Sequence, residues 1–373
     1  DDIQINFLST YYQQDGNHSA VTGGVGTEQL TNLAPAISVI IPFDTVRTIT
    51  LDGAVDFYSS ASSDNINNPY LDPNHVSGAS SKDSRQYYTV GYKKKKKENR
   101  SEKGISLGLS SEYDVTSFSA GGSWSKESKD HNKDFSIKAH YYFDDWKLIY
   151  PVEFRLGNDN YLPTDKRHTF SFSGTGNFVL NKKMSLGISA DVVAQSGMLS
   201  TPFHRVYFND YNEAKIEILP ALRIKVPIAI RLNYHITNNL IIKSFYRFYS
   251  DSWGISGHTM KLELPIKIKQ GLRLYPFVRY HSQIGARYFA KSGEHSITEQ
   301  YYTSDFDLSG LSSFKYGLGF SIDPLYGIGR FKGPFKKRLT MFKGFDLRVA
   351  NYSRSDGFTA WMITTGLRFK VQR

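Results

Sequence analysis

The sequence contains no cysteine and no long hydrophobic run. The lack of cysteine excludes disulfides, thiolate chemistry and sulfur-ligated zinc, and it is typical of a chain in an oxidising compartment. The longest uncharged apolar stretches, such as residues 34–43, are well short of the ~20 residues that a membrane-spanning helix requires. The chain is therefore either soluble or crosses a membrane as β-strands.

The composition indicates the class of protein but does not identify its binding partner. Aromatic residues make up 14 % of the 373 residues, yet the continuous apolar segments of a soluble core are missing. An ordinary soluble chain of this length would form about two domains, whereas a single barrel uses the length without dividing. The formal net charge of +11 is compatible with nucleic acid, an anionic lipid surface or a basic channel.

Period-two alternation of apolar and polar residues recurs along the chain. In residues 222–234 (LRIKVPIAIRLNY) every even-numbered position is apolar, and Arg, Lys and Asn lie at odd-numbered positions. Residues 135–144, 260–268 and 361–371 follow the same pattern. Soluble sandwich strands average about five or six residues, whereas these segments run to about ten, the length of a tilted membrane strand. The pattern predicts an all-β protein with transmembrane strands.

The connections between these segments are of two kinds. Short turns rich in Asn, Asp, Gly and Lys occur at residues 44–45, 181–183, 237–239 and 270–271. Long irregular stretches alternate with them, at residues 15–26, 60–84, 146–167, 197–219 and 290–310. We predict a single antiparallel up-and-down transmembrane β-barrel of about 16 strands, with short periplasmic turns and long extracellular loops. One domain would span residues 1–373.

Two segments fit this scheme less well, and the aromatic residues support it. Residues 104–126 require a tight hairpin near residues 113–114, and the basic residues 326–344 break the short-turn rule. Tyrosine pairs collect where strands meet loops, as at residues 87–88 and 141–142. Such pairs favour the headgroup level of a membrane, although scattered aromatics also pack soluble sandwiches. The predicted location is integral to a Gram-negative outer membrane, in contact with lipid and lipopolysaccharide.

Four segments resemble a known family: residues 11–24 (YYQQDGNHSAVTGG), 201–210 (TPFHRVYFND), 302–308 (YTSDFDL) and 353–357 (SRSDG). Together they resemble predicted bacterial outer-membrane proteins of a domain of unknown function, common in Bacteroidota-type envelopes. The resemblance extends over nearly the whole chain and implies a barrel in a Gram-negative outer membrane. It implies no activity. Many such barrels end on an aromatic residue, whereas here four residues follow Phe369.

The histidines of the predicted loops are the weak candidates for a metal site. Imidazole and carboxylate are good ligands for zinc, copper or iron, and four loop histidines have a nearby acid: His18, His75, His204 and His295. The alternative is that these side chains bond turns and carbonyls. No cofactor is expected.

Other chemistry has less support in the sequence. A Ser–His pair on one strand face needs a spacing of two, and only His75 and Ser77 have it, within a polar loop. An enzyme is therefore a distant third reading, and no catalytic residue is assigned. The lysine run at residues 93–97 lacks interleaved aromatics, so a solvated periplasmic rim is preferred to nucleic-acid binding.

The inward faces of the predicted strands carry more bases than acids. The predicted lumen-lining bases are Arg223, Lys225, Arg231, Lys243, Arg247, Lys261, Lys267, Arg273, Arg279, Arg348 and Arg368. The predicted inward acids are Asp52, Asp56, Asp144, Glu263 and Asp346. Rings of bases lining a pore select anions. The alternative is that these charges pair across the lumen with acids and inward-folded loops, giving a plugged barrel.

Two functional hypotheses remain. In the first, the protein is a channel whose long loops shape a constriction for a small anionic solute. In the second, it is a non-conducting accessory or scaffold barrel of a larger outer-membrane complex. Such a barrel would bind lipoproteins or another barrel through aromatic-rich loops such as residues 203–208 and 301–306, because Tyr and Arg are favoured interface anchors.

Overall fold

The computed structural model describes residues 2–60, 81–155, 163–332 and 338–372. Nearly all regular structure in these ranges is β-strand, with three 3-10 turns as the helical elements. None of the helices described is long and apolar enough to cross a membrane.

Twenty strands follow one another within the described ranges. In the first half they are β1 (Ile3–Asp15), β2 (Leu30–Pro42), β3 (Arg47–Ser60), β4 (Ser81–Lys96), β5 (Ser101–Ser111), β6 (Val115–Glu127), β7 (Lys133–Lys147), β8 (Thr164–Asn181), β9 (Met184–Gly197) and β10 (Arg205–Val206). In the second half they are β11 (Lys215–Ile216), β12 (Leu222–His235), β13 (Ile241–Asp251), β14 (Ser256–Glu263), β15 (Ile266–Lys269), β16 (Leu272–Ile284), β17 (Leu311–Ile322), β18 (Gly329–Lys332), β19 (Leu339–Arg354) and β20 (Thr359–Val371).

The long strands form a closed antiparallel barrel of 16 strands, as the sequence predicts. Closure is made between the two ends of the chain, where Ile3 lies opposite Val371 and Asp15 opposite Thr359. Two of the strands count as one: β14 and β15 both pair with β16 and are interrupted at Pro265, which has no N–H for the ladder. The short strands β10 and β11 pair outside the barrel wall.

Alternation along each strand divides the wall into two faces. On β12, Ile228 and Ile230 are both 43 % exposed on the outer face, whereas Ala229 between them is buried. Met260 on β14 continues the outer face opposite Tyr246 of β13. The exposed apolar band is the surface that lipid covers in barrels of this kind. Its residues are those that the period-two pattern places outward.

The two rims of the barrel differ, and we name them the turn rim and the loop rim. The turn rim carries both chain ends and the hairpins at residues 43–46, 97–100, 128–132, 182–183, 236–240 and 270–271. At this rim, residues 323–332 add the short strand β18, which pairs with the first four residues of β19. This pairing is why the basic segment departs from a simple turn.

The loop rim carries the long loops, but three of its connections are short. They lie at residues 112–114, 252–255 and 355–358. The first is the tight hairpin that the sequence requires near residues 113–114, whereas strict alternation of short turns and long loops is wrong at the other two. The second of them is closed by Asp251, whose carboxylate accepts hydrogen bonds from the backbone N–H groups of Trp253 and Ile255, each at 3.0 Å. Its compactness is explained by this carboxylate.

Candidate functional site

The register of the strands places every base that the sequence predicts as lumen-lining on the inner face of the wall. Lys225 and Arg231, for example, alternate with the exposed Ile224, Ile228 and Ile230 on β12. The others occupy equivalent positions on β12 to β20, opposite in parity to the exposed apolar residues.

Several of these bases have acidic partners. Glu263 is the shared partner of three of them, Lys261 at 2.8 Å, Arg348 at 3.2 Å and Lys243 at 3.7 Å. Arg223 pairs with Asp251 at 2.5 Å. The remaining pairs lie closer to the turn rim: Arg368 with Asp346 at 2.9 Å and with Asp323 at 3.3 Å, and Arg273 with Asp323 at 3.8 Å.

The other predicted bases form no ion pair with any residue in the described ranges. These are Lys225, Arg231, Arg247, Lys267 and Arg279. Lys315 on β17 belongs with them, because its ammonium contacts the Met362 sulfur at 2.8 Å and no described carboxylate. Lys315 is not among the lumen-lining bases predicted from the sequence. Its position between Phe314 and Tyr316 carried the same alternation signal as the other bases.

Three of the inward bases lie side by side across neighbouring strands. Arg279 on β16 is directly opposite Lys261 of β14 on one side and Lys315 of β17 on the other. Directly opposed like charges destabilise a sheet. Of the three, the charge of Lys261 is compensated by its ion pair with Glu263, and the other two form no ion pair within the described structure. We name Lys261, Arg279 and Lys315 the basic row.

Next to the basic row, aromatic rings lie flat on glycines. A Cβ on Gly319 would come within 1.8 Å of the Tyr275 ring, and one on Gly317 within 2.7 Å of the Phe277 ring. The missing side chains therefore make room for these rings. The guanidinium of Arg348 lies over both, 5.1 Å from the Tyr275 centroid and 4.8 Å from that of Phe277. This stacking orients Arg348.

Several cavities open along the inner wall. One of 790 Å³ is lined by Arg231, Lys243 and Lys261 among others. The second, of 720 Å³, is lined by Lys315 and Arg348 together with other residues. Cavities of this size accommodate small organic molecules.

The long loops at the other end of the molecule fold against one another. Arg205 of β10 is the residue that joins most of them, and its side chain is 5 % exposed. Its Nε and Nη2 donate to the two carboxylate oxygens of Glu153 at 2.5 and 3.0 Å, and its Nη1 donates to the Val21 carbonyl at 2.8 Å. One arginine therefore ties residues 16–29, 148–155 and 198–221 together. We name these segments and residues 285–310 the loop cap.

A second buried connection joins residues 198–221 to 285–310. Glu217, whose side chain is 2 % exposed, accepts hydrogen bonds from the Thr303 hydroxyl at 2.5 Å and the Thr201 backbone N–H at 2.7 Å. Its carboxylate also lies 3.4 Å from His204 Nδ1. Burial opposes the charge on both groups. Even so, each raises the charged fraction of the other, so the pKa of His204 lies above and that of Glu217 below its ordinary value.

The loop cap crosses the mouth of the barrel. Residues 16–29 connect β1 to β2, and residues 198–221 connect β9 to β12. Around the ring, β3 to β8 separate these two hairpins on one side, and β13, β14 with β15, β16, β17, β19 and β20 separate them on the other. The Arg205–Val21 hydrogen bond therefore joins loops from opposite sides of the wall.

The candidate metal ligands take ordinary roles where they are described. His18 stacks on Phe306 at 3.8 Å between centroids, and its Nδ1 bonds the Gly24 carbonyl at 3.0 Å. Both nitrogens of His295 are occupied, by Glu299 at 2.7 Å and by the Thr303 carbonyl at 2.9 Å. Within the described ranges no three His, Asp or Glu side chains converge as a metal-ligand set. His75 lies outside these ranges.

Two carboxyl groups of the loop cap have strongly raised pKa values. Burial, together with the charge of Asp307, raises the pKa of Glu28 to about 7. Burial also raises the pKa of Asp305, and the nearby Asp307 acts in the same direction. Arg354 partly compensates these charges, since its guanidinium pairs with Asp307 and with Asp356, each at 2.5 Å.

Arg205, Glu217 and Arg354 were not predicted as functional residues from the sequence. Their partners are distant in sequence, so no spacing rule finds them. A signal was nevertheless present. The four segments that carry the family resemblance include Val21, Arg205, Thr303 and Arg354, and the structure brings all four segments together in or beside the loop cap.

Residues 58–326 match the model of a family described as a protein of unknown function, DUF3570. The chain belongs to this family. The DUF3570 match includes residues 201–210 and 302–308, two of the four segments named above. No curated protein sequence matches the chain.

Solved structures share the barrel fold at low sequence identity. The ferric enterobactin receptor PfeA of Pseudomonas aeruginosa, in complex with BCV-L6, is 9 % identical with a TM-score of 0.50, over 94 % of this chain and 54 % of the receptor. CdiB from Acinetobacter baumannii is 11 % identical with a TM-score of 0.49, over 98 % of this chain and 60 % of CdiB.

A third match has nearly the same length as this chain. The outer membrane protein opdK of P. aeruginosa is 8 % identical with a TM-score of 0.41, over 98 % of both chains. By contrast, the chain spans about half the length of the receptors it matches. The DUF3570 chain therefore has the fold of outer-membrane β-barrels. Neither the family nor these neighbours provides positive support for enzymatic activity.

Proposed function

We propose that this DUF3570 protein is an integral channel of the Gram-negative outer membrane with an anion-preferring lumen. The loop cap shapes the constriction at its mouth, and lipid with lipopolysaccharide surrounds its outer face. The pairing of the first strand with the last supports assigning residues 1–373 to one domain. A Bacteroidota-type source stays a prediction from the resemblance.

The basic row is the observation that carries the proposal. Opposed like charges cost stability, so a barrel without a use for them would be expected to neutralise them or replace them with neutral side chains. Here Arg279 lies between Lys261 and Lys315 on the inner face. Water and a passing anion supply the missing counter-charge, and rings of bases in a pore favour anions.

The other bases of the lumen extend the positive potential along the wall. Lys225, Arg231 and Arg247 lie on the two strands next to the basic row and form no ion pair with described residues. A channel wall that carries charges of one sign and is surrounded by a medium of low dielectric constant concentrates ions of the opposite sign. A sixteen-stranded barrel is wide enough to keep an aqueous path unless loops fill it.

The proposal is tested in planar bilayers under a salt gradient. Replacing Arg231, Arg247 and Arg279 together with glutamine should shift the reversal potential of the channel toward cation selectivity. The matched control is the triple change of Lys94, Lys103 and Lys126 to glutamine. These residues lie on the outer face near the turn rim, and the change removes the same charge.

The control should keep the anion preference of the natural protein. Equal shifts in both variants would mean that overall charge, and not the lumen, sets selectivity. A natural protein that conducts nothing would contradict the channel.

A second function is favoured by the loop cap itself. Loops from opposite sides of the wall are joined by a buried arginine, and such a closed mouth suits a non-conducting accessory barrel. In this case the outer surface of the loop cap binds a lipoprotein or another barrel. Tyr211 and Ile218 are 41 % and 44 % exposed there and are suitable anchors.

Purification from the native membrane in mild detergent separates the two functions. Co-purification of a stoichiometric partner that Tyr211→Ala and Ile218→Ser release, without any conductance of the isolated barrel, would favour the accessory role. A barrel that purifies alone and conducts favours the channel.

A further inference from the structure

We propose that the 720 Å³ cavity of the lumen binds an organic anion with an apolar body, such as an aromatic or cyclic carboxylate. The inference rests on the proposed channel and names its solute class. It is carried by an apolar strip and a basic, aromatic group of side chains that line the same cavity.

The apolar strip lies on the inner face, where polar side chains are the rule. Leu8 of β1 is directly opposite Ala36 of β2 and Gly366 of β20, and Ala36 is in turn opposite Ala54 of β3. The small neighbours leave Leu8 uncovered, and it is 50 % exposed although it points inward. An uncovered leucine in an aqueous lumen costs free energy that an apolar ligand surface would recover.

The anion-binding side of the cavity is formed by Arg348. Its guanidinium is held over the Tyr275 and Phe277 rings, and its Nη2 donates a hydrogen bond to the Glu263 carboxylate at 3.2 Å. Because a guanidinium has five N–H donors in a planar fork, donors remain for a carboxylate. Lys315 lines the same cavity and is not paired with a described carboxylate.

The spacing of the two sides fits a small amphipathic anion. Arg348 is opposite Thr364, two positions along β20 from Gly366, which is opposite Leu8. Two strand spacings and two residues place the Cα atoms of Leu8 and Arg348 about 12 Å apart. Gly366, which has no side chain, lies between these two strands, and a Cβ there would meet only Leu8 and Asp346, each at 3.6–3.9 Å. A ring with a carboxylate fits in this gap.

The acids of the cavity do not cancel this preference. Asp346 is paired with Arg368 at 2.9 Å, so its charge is neutralised inside the cavity. Asp52 lies on β3 two residues from Ala54, at the end of the apolar strip that is farther from Arg348. An inorganic anion would use Arg348 and Lys315 but gain nothing from Leu8, so the apolar strip is what distinguishes the two kinds of solute.

Binding is measured on the barrel in lipid nanodiscs by saturation-transfer NMR with three probes: benzoate, acetate and benzylammonium. Burial of the ring should make benzoate bind about ten-fold more tightly than acetate, and benzylammonium should not compete. Leu8→Asn should bring the benzoate-to-acetate ratio close to one, with Leu8→Ala as the second variant if the first does not fold. Val193→Asn, an inward change outside this cavity, is the matched control and should keep the ratio.

Equal affinity for benzoate and acetate in the natural protein, or an unchanged ratio in the Leu8 variants, would overturn the proposal. The readout needs no current, so it stays decisive if the barrel does not conduct. A barrel without anion selectivity in planar bilayers that still prefers benzoate would contradict the proposed channel but support the binding site. An anion-selective channel that binds benzoate and acetate equally would support the channel but contradict the organic-anion site.

Discussion

Arg205 and Glu153 form a two-point ion pair, with N–O distances of 2.5 and 3.0 Å, between loops that leave different parts of the barrel wall. The same guanidinium holds the Val21 carbonyl of a third loop at 2.8 Å. The pair therefore determines how firmly the loop cap is closed over the lumen. Removing a single side chain should loosen three loops at once.

Arg205→Met is expected to open the loop cap without unfolding the barrel. It leaves Glu153 partly buried and unpaired and costs about 2–4 kcal/mol of local stability. Protease should then cut within residues 16–29 and 198–221, and the single-channel conductance should rise. Lys291→Met, an exposed change in residues 285–310, is the control. Cleavage equal to that of the natural protein would contradict the role of Arg205.

Lys315→Met should stabilise the barrel, because it removes one of two like charges that face Arg279. The expected gain is roughly 0.5–1 kcal/mol in urea unfolding at low salt. At about 1 M salt the gain should shrink, since the Debye length falls to about 3 Å. Lys182→Met, in an exposed turn, should show neither effect. A loss of stability in Lys315→Met would mean that this ammonium has a structural partner.

The loop cap should be tighter at pH 5 than at pH 8. The pKa of Glu28 is raised from 4.5 to about 7, so its protonated form favours the folded loop. This stabilisation is complete below pH 4.5 and is lost as the pH rises through about 7. A spin label at Asn17→Cys, in a chain without other cysteines, should become more mobile between pH 6 and 8. Glu28→Gln should flatten that profile, and an unchanged profile would exclude Glu28 as its cause.

Labels at neighbouring positions on β14 test the two faces of the wall. Leu262→Cys should be accessible to oxygen and shielded from a water-soluble nickel chelate, because Leu262 continues the exposed apolar face. Lys261→Cys should show the opposite ratio. Reversed accessibilities would place the strand one residue out of register.

The architecture and the two faces of the wall were determined by local pattern. Alternation in residues 222–234 and 361–371 predicts β12 and β20, and it places Arg231 and Arg368 on the inner face. Period-two geometry is a property of each strand alone, so one sequence is sufficient to read it. The break at Pro265 within β14 and β15 was overlooked, although proline without an N–H was its signal.

Pairing between distant residues was decided by tertiary structure alone. Alternation puts Lys261, Arg279 and Lys315 on one face, but only the register shows that they are neighbours. The loop cap is a stronger case, since Arg205 meets Val21 because the wall closes and brings opposite hairpins over one mouth. Closure is a property of the whole ring of strands. No local pattern contains the contacts that closure creates. Alternation and turn spacing in the sequence therefore predicted a barrel, whereas the closed ring of strands decided which residues meet in its lumen and loop cap.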